Sequence, residues 1–226
     1  MSVVLAVDAG GALFSAALRI NEKTRQCFAP AAPHSAHALP LIKTLLAEAE
    51  ISLAQCDVFA FGAGPGRFSG LRLACGIAQA FAFAAGRPGA AVNSLAALAE
   101  ANYGDTAACA EAVIPAHRGY IYTARCRRAA RWISARPRLL AAEEYAPVWR
   151  RVCGKGAAQY PQILQRNANA VFCNAAPEPD AAATAKIAAT MLAEGDVCAA
   201  PDCRPLYVRR RVAQTTAERA KNSAQK

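Results

Sequence analysis

Asp8 ends an apolar run and is followed by Ala9-Gly10-Gly11, while Gly62, Gly64, Pro65, Gly66, Ser69 and Gly70 join a second apolar run to a helical pattern. An aspartate after a first strand can hold a metal-bound phosphate, and it can equally be a polar turn residue. Glycines at a strand-to-helix junction leave backbone amides bare at a helix mouth, where they meet phosphate or let another element approach closely. Ser69 stands where a helix cap would, with Arg67 and Arg72 close in sequence. Asp8, Gly64, Gly66, Ser69 and Arg72 are therefore the candidate nucleotide-binding residues.

No standard signature is spelled out. Gly66 is followed by Arg67-Phe68 where a P-loop needs Lys-Ser/Thr, the glycines do not fall as G-x-G-x-x-G, and Ser69 is not framed as G-x-S-x-G. Positions 9 to 14 (Ala, Gly, Gly, Ala, Leu, Phe) add no side-chain donor beside Asp8. The second half offers only Gly154-Lys155-Gly156 as a further phosphate loop. No catalytic residue is assigned. His34 and His37 can share a helix face but have no adjacent carboxylate or thiolate, and Cys198 and Cys203 have no second pair, so no metal site is assigned.

These residues must be positioned by alternating strands and helices. Val3 to Val7, Phe14 to Ile20 and Arg25 to Ala29 read as an antiparallel meander, with Asp8-Ala-Gly-Gly and Asn21-Glu22 as turns. Helical spacing predicts a helix from Ser35 to about Glu50, a strand from Asp57 to Phe61, a helix over 69–85 ending at Gly86, a strand from Ala90 to Asn93, and a helix capped by Ser94. The order is βββαβαβα, over residues 1–101. A smaller lobe over 102–203 reads as a hairpin within Val113–Cys126 turning at His117-Arg118-Gly119, a strand near Trp132-Ile133, helices Ala142–Cys153 and Ala181–Glu194, and a strand Ala170–Cys173. Pro205–Val208 reads as a last strand. The helix over 69–85 is apolar nearly all round, which suits either a tightly layered core or a second face buried against a partner.

Net charge is +10 and unevenly spread: seven Lys/Arg against six Asp/Glu in residues 1–100, twelve against nine in 101–203, and seven against one in 204–226. Most of the excess thus reads as a basic C-terminal segment rather than a face of the folded body. Such a segment contacts RNA or an acidic partner, or serves as a solvated tail. No apolar run approaches the roughly 20 residues of a membrane span, and the start lacks a basic n-region, so neither anchor nor signal peptide is expected. Nine scattered cysteines without a C-x-x-C pair suit free thiols in a reducing cytoplasm.

The string GAGPGRFSGLRLACGIAQAFAFAAG resembles the TsaB (YeaZ) family of bacterial tRNA threonylcarbamoyladenosine proteins, and the likeness extends to LAVDAGGALFSAALR, HSAHALPLIKTLL, AVIPAHRGYIYTARC and PLYVRRRVA. The resemblance implies an α/β, actin-like ATPase (ASKHA) fold with two lobes, the second reduced. It also implies a noncatalytic subunit that binds and activates a TsaD-like transferase, joined by a TsaE-like ATPase, to form N6-threonylcarbamoyladenosine in tRNA. The docking surface would then be the first two helices, with Leu39, Ile42, Leu46, Leu71, Cys75, Ala78 and Phe81 as interface residues. Arg209, Arg210 and Arg211 are the candidate tRNA contacts. No cofactor is assigned, with ATP or ADP at the partner interface and a homodimer left open. The metal-binding H-x-x-x-H of the catalytic relatives is H-x-x-H here, and Ala9 replaces the threonine that often follows the aspartate. An autonomous ATPase or small-molecule kinase of the same fold is the alternative.

Overall fold

A continuous apolar run buries both faces of the first strand, while the third, at the sheet edge, is largely exposed. β1 (Val3–Asp8) sends Val3, Leu5 and Val7 to one side and Val4 and Ala6 to the other. It pairs antiparallel with β2 (Phe14–Ile20), which pairs antiparallel with β3 (Lys23–Ala29). Then follow α1 (His34–Glu48), β4 (Val58–Gly64), α2 (Phe68–Ala85), β5 (Gly89–Asn93) and α3 (Ser94–Tyr103). The five strands form one sheet in the order β3-β2-β1-β4-β5, with β4 parallel to both β1 and β5. The computed structural model describes residues 2–29 and 34–208, so the candidate tRNA contacts Arg209, Arg210 and Arg211 lie outside the described residues.

The second sheet is built from β6 (Cys109–Pro115), β7 (Tyr120–Arg128), β8 (Trp132–Ser134), β9 (Arg138–Ala141) and β10 (Arg151–Cys153). After the short helices α4 (Lys155–Gln159) and α5 (Gln162–Gln165) comes β11 (Val171–Cys173), and the order is β11-β10-β6-β7-β8 with β9 also on β7. α6 (Ala181–Glu194) then returns to pack against β1, β2 and β4 of the first sheet, although in sequence it follows the second.

The result is five layers. α1 and α2 cover one face of the first sheet around Leu5, Phe14, Phe59 and Phe61. α3 and α6 fill the space between the two sheets, in a core of Ala6, Ala60, Ala97, Ala112, Ala185 and Ala188 closed by Trp132. Alanine at these positions lets two helices and two sheets approach closely, which explains its heavy use. The outer face of the second sheet is covered by α4, α5 and residues 142–145 over Val113, Ile121 and Val152.

Three local readings change. The helix expected over 142–153 is absent: Pro147 interrupts the run, the Glu111 carboxylate accepts from the Val148 and Trp149 amides (2.6 and 2.5 Å), and Arg151–Cys153 pairs in parallel as β10. Pro205–Val208 is irregular chain, tied down where the Leu206 amide donates to the Ala63 carbonyl (2.7 Å). α3 is capped by Asn93, not Ser94: the Asn93 side chain accepts from the Leu95 and Ala96 amides (2.9 and 3.3 Å). Because residues 94–100 are buried, those amides cannot turn to water. Asn93→Ala is expected to cost about 1–2 kcal/mol in urea unfolding; a change below 0.5 kcal/mol, on the order of a surface substitution, would show that the cap contributes little.

Candidate functional site

Asp8 sits at the C-terminal end of β1 and is almost completely buried (1% exposed). The Gly10 amide donates to its Oδ1 (2.9 Å), while Oδ2 has no hydrogen-bond partner. Burial pushes the carboxyl up from 3.8 to about 7; the Gly10 hydrogen bond opposes the rise, and the charges of Asp180 and Glu178 add to it. Asp180 caps α6 by accepting from the Ala183 amide (2.8 Å).

The glycine junction has a steric explanation. A side chain at Gly62 would collide with the Asp8 carboxylate. One at Gly66 would come within 2.8 Å of the Gly10 carbonyl oxygen, and one at Gly70 would overlap the Ala9 carbonyl. The Arg67 amide donates to that same Gly10 carbonyl (2.9 Å). Glycines four apart therefore form a trough along the start of α2 in which the turn after β1 lies. Gly64, at φ 118°, supports the crossing of the Leu206 carbonyl.

Of the candidate nucleotide residues, the structure brings Asp8, Gly64 and Gly66 together beside this turn, and Ser69 and Arg72 take no part in it. α2 starts at Phe68 with Arg67 at its cap and no side-chain cap, so Ser69 is an exposed residue inside the helix. The Arg72 guanidinium lies over the Phe68 ring at 5.3 Å, and Phe68 in turn packs against Tyr207.

Between the lobes lies a cleft of about 220 Å³ bordered by Gly10, Gly11, Arg67, Pro115, Lys155 and Glu178. Glu178 lines this cleft and engages both of its sides. Its Oε2 accepts from the Ala12 amide (2.7 Å), its Oε1 pairs with Lys155 Nζ (3.0 Å), and its side chain fills the space beside Gly11. The Ala12 amide and Lys155 are thus engaged by a carboxylate of the chain itself, while Arg67, exposed on the cleft rim, has no ion pair among the described residues. Sequence reasoning missed Glu178, and no local pattern marks it, since its partner amide is 166 residues away.

The proposed interface residues need correction. Ile42, Leu46, Leu71, Cys75 and Ala78 are buried, and Phe81 packs partly buried against Phe59. They face the sheet, because the apolar sheet requires the more apolar side of each helix. Leu39 alone is open, at 56% exposed. The outward side of α2 instead presents Arg72, Gly76, Ala80, Phe83 and Ala84, with Phe83 at 76% exposed. α2 is long and apolar enough to cross a membrane by length and composition, yet seven of its residues are buried within the protein. Among the described residues no group of three metal-ligating side chains converges. The nine thiols are unpaired, including Cys198 and Cys203 with their sulfurs 3.5 Å apart.

Comparison with known proteins agrees with this architecture. The family model for TsaD, tRNA N6-adenosine threonylcarbamoyltransferase, matches residues 29–215. The tRNA threonylcarbamoyladenosine biosynthesis protein TsaB of Escherichia coli is 28% identical over 223 residues, covering 93% of this chain and 96% of its own length. TsaB of Haemophilus influenzae is 39% identical over 101 residues, 44% of this chain and 43% of that protein. The structure of YeaZ from Pseudomonas aeruginosa superposes with a TM-score of 0.82 at 30% identity, over 92% of this chain and all of that one. The fold is the α/β, actin-like fold that the motif implied. With the family model matched over residues 29–215 and YeaZ superposed over 92% of this chain, the chain belongs to the TsaB (YeaZ) branch of the TsaD family.

Proposed function

We propose that this chain is a noncatalytic subunit in the formation of N6-threonylcarbamoyladenosine in tRNA, and that it acts in the cytoplasm by docking onto a TsaD-like transferase and holding it in its active form. A TsaE-like ATPase would complete the assembly. The observation that carries the docking role is the outward face of α2, where Gly76, Ala80, Phe83 and Ala84 form an exposed uncharged patch beyond Arg72. Small residues let a partner helix come close, and a protruding phenylalanine is the kind of side chain that anchors an interface core. α1 lies on the same face of the sheet and adds the exposed Leu39.

The noncatalytic part is supported by the Asp8 pocket. Glu178 already occupies the Ala12 amide and Lys155, and its charge and that of Asp180 bear on the buried Asp8. A phosphate entering there would compete with the Glu178 carboxylate for that amide and that ammonium. What the chain's own residues do is structural: the trough orients α2, and α2 presents its outer face.

The test is association with a purified TsaD-like transferase, read by light scattering after size exclusion and by titration calorimetry. Phe83→Asp and Ala80→Arg should each weaken the complex at least about tenfold, in line with interface anchors, while leaving the melting temperature of the free chain unchanged. Wild-type affinity in both variants would move the interface off α2. Steady-state ATP turnover by the isolated chain, abolished in Asp8→Asn, would favour the kinase reading instead.

A further inference from the structure

The outer face of the second sheet carries a cluster that the docking role does not use. Along β7 the residues pointing away from the shared core are Ile121, Thr123, Arg125 and Arg127, because Tyr122, Ala124 and Cys126 point into it. Arg138 lies directly opposite Thr123 on β9, and Ile133 opposite Arg127 on β8, so their side chains share this face. Arg125 and Arg127 both approach the Trp149 ring, at 5.7 and 5.3 Å. Arg136 and Arg138 border the cavity of about 390 Å³ beside them. All four arginines are exposed, and none has an ion-pair partner among the described residues. Their neighbours Arg128 and Arg131, by contrast, are paired with Asp105 and with Glu194 and Asp196. The charge excess is therefore not confined to the C-terminal segment.

The face is also built. Glu111, 2% exposed and opposite Arg125 on β6, accepts hydrogen bonds from the Tyr145 hydroxyl and from the Val148 and Trp149 amides. Those three bonds pin residues 145–149 onto the sheet and set the indole beside the two guanidinium groups. The Thr123 hydroxyl is buried next to Tyr145 without a well-formed hydrogen bond. Glu143 and Glu144 are exposed on the covering segment, and Glu144 borders the cavity. The Glu111 carboxylate itself is committed to the loop, so the balance toward solvent remains basic.

We propose that this face, centred on Trp149 with Arg125, Arg127, Arg136 and Arg138, is an RNA-contact surface. The arginines take backbone phosphates and the indole stacks on an unpaired base, the combination that single-stranded and loop RNA selects. The choice of RNA over other polyanions rests on the proposed role in tRNA modification. Glu111 is a positioning residue that acts through the loop.

The experiment measures binding of the full chain to an unmodified tRNA transcript by fluorescence anisotropy at several salt concentrations. All variants keep residues 209–226, so any difference belongs to the face. Arg125→Gln with Arg127→Gln should weaken binding at least about tenfold and reduce the slope of log K against log salt by about 1.5, close to two lost phosphate contacts. Trp149→Leu should weaken it at least about fivefold with little change in slope, as expected for lost stacking. If Trp149→Leu unfolds, the arginine pair still decides, since both side chains are exposed. Unchanged affinity and slope in the arginine pair overturn the proposal, as does equal affinity of the wild type for poly-glutamate, which would indicate an acidic protein partner. Association of the same variants with the transferase is measured in parallel: loss of RNA binding with docking intact supports the face, whereas failure of the wild type to dock bears on the subunit reading alone.

Discussion

Gly70→Ala is expected to destabilise the chain by about 3 kcal/mol or more, or to prevent folding, although alanine is the better helix former by about 1 kcal/mol. Gly70 lies in the first turn of α2, and a methyl group there would overlap the Ala9 carbonyl oxygen. No rotamer change can relieve that contact, because the obstacle is backbone. Nor can the turn retreat easily, since the Gly10 carbonyl is bound by the Arg67 amide and Asp8 is enclosed behind Gly62. Gly76, two turns along the same helix, is the control. Nothing lies within 4 Å of a side chain built there, so Gly76→Ala should stabilise by about 0.5–1 kcal/mol. Urea unfolding of the two variants should therefore move in opposite directions. A loss below about 1 kcal/mol in Gly70→Ala, the middle of the range for ordinary substitutions, would mean that the close crossing of the β1 turn and α2 is not a requirement of the fold.

Asp8 should make the native state lose stability as pH rises from about 4 to about 7. Its carboxyl titrates near 3.8 when unfolded and near 7 when folded. Below pH 4 both states hold the proton. Between the two values the folded state binds more protons than the unfolded one, so stability declines with pH, and above 7 the full penalty persists. A displacement of this size corresponds to about 4 kcal/mol, since one pH unit is worth about 1.4 kcal/mol. Asp8→Asn removes the titration while keeping an acceptor for the Gly10 amide. Stability curves of wild type and variant should run together up to about pH 4 and then diverge in the variant's favour through pH 7. Parallel curves over that range would show that Asp8 is not buried as a carboxylic acid in the folded chain.

The docking correction has a general cause. Helical periodicity identifies residues that share a face, and it placed Leu71, Cys75 and Ala78 together correctly. It does not say what covers that face. α2 is apolar on both sides, so the inward set is selected only when the first sheet supplies Phe59 and Phe61 as its partner surface. The residues left outward, Gly76, Ala80 and Phe83, belong to the same apolar run and carry no separate mark. The missing helix at 142–153 arises in a similar way. A locally acceptable pattern is overridden by Glu111, more than thirty residues earlier, whose carboxylate takes two of the amides the helix would have used.

Local physics written in the chain determined the βββαβαβα order, the bend at the glycine junction and the family motif, because strand alternation, helical spacing and glycine punctuation act over a few residues. The sequence could not decide between a phosphate cradle and a close crossing at Gly62–Gly70, since both need bare backbone. Tertiary structure supplied the close crossing, laying the Asp8–Gly11 turn in the trough and setting Glu178, from more than 160 residues away in sequence, on the Ala12 amide. It likewise set Trp149 against Arg125 and Arg127 and placed Arg138 opposite Thr123 on the same face, so that arginines close in sequence meet an aromatic ring from a later loop.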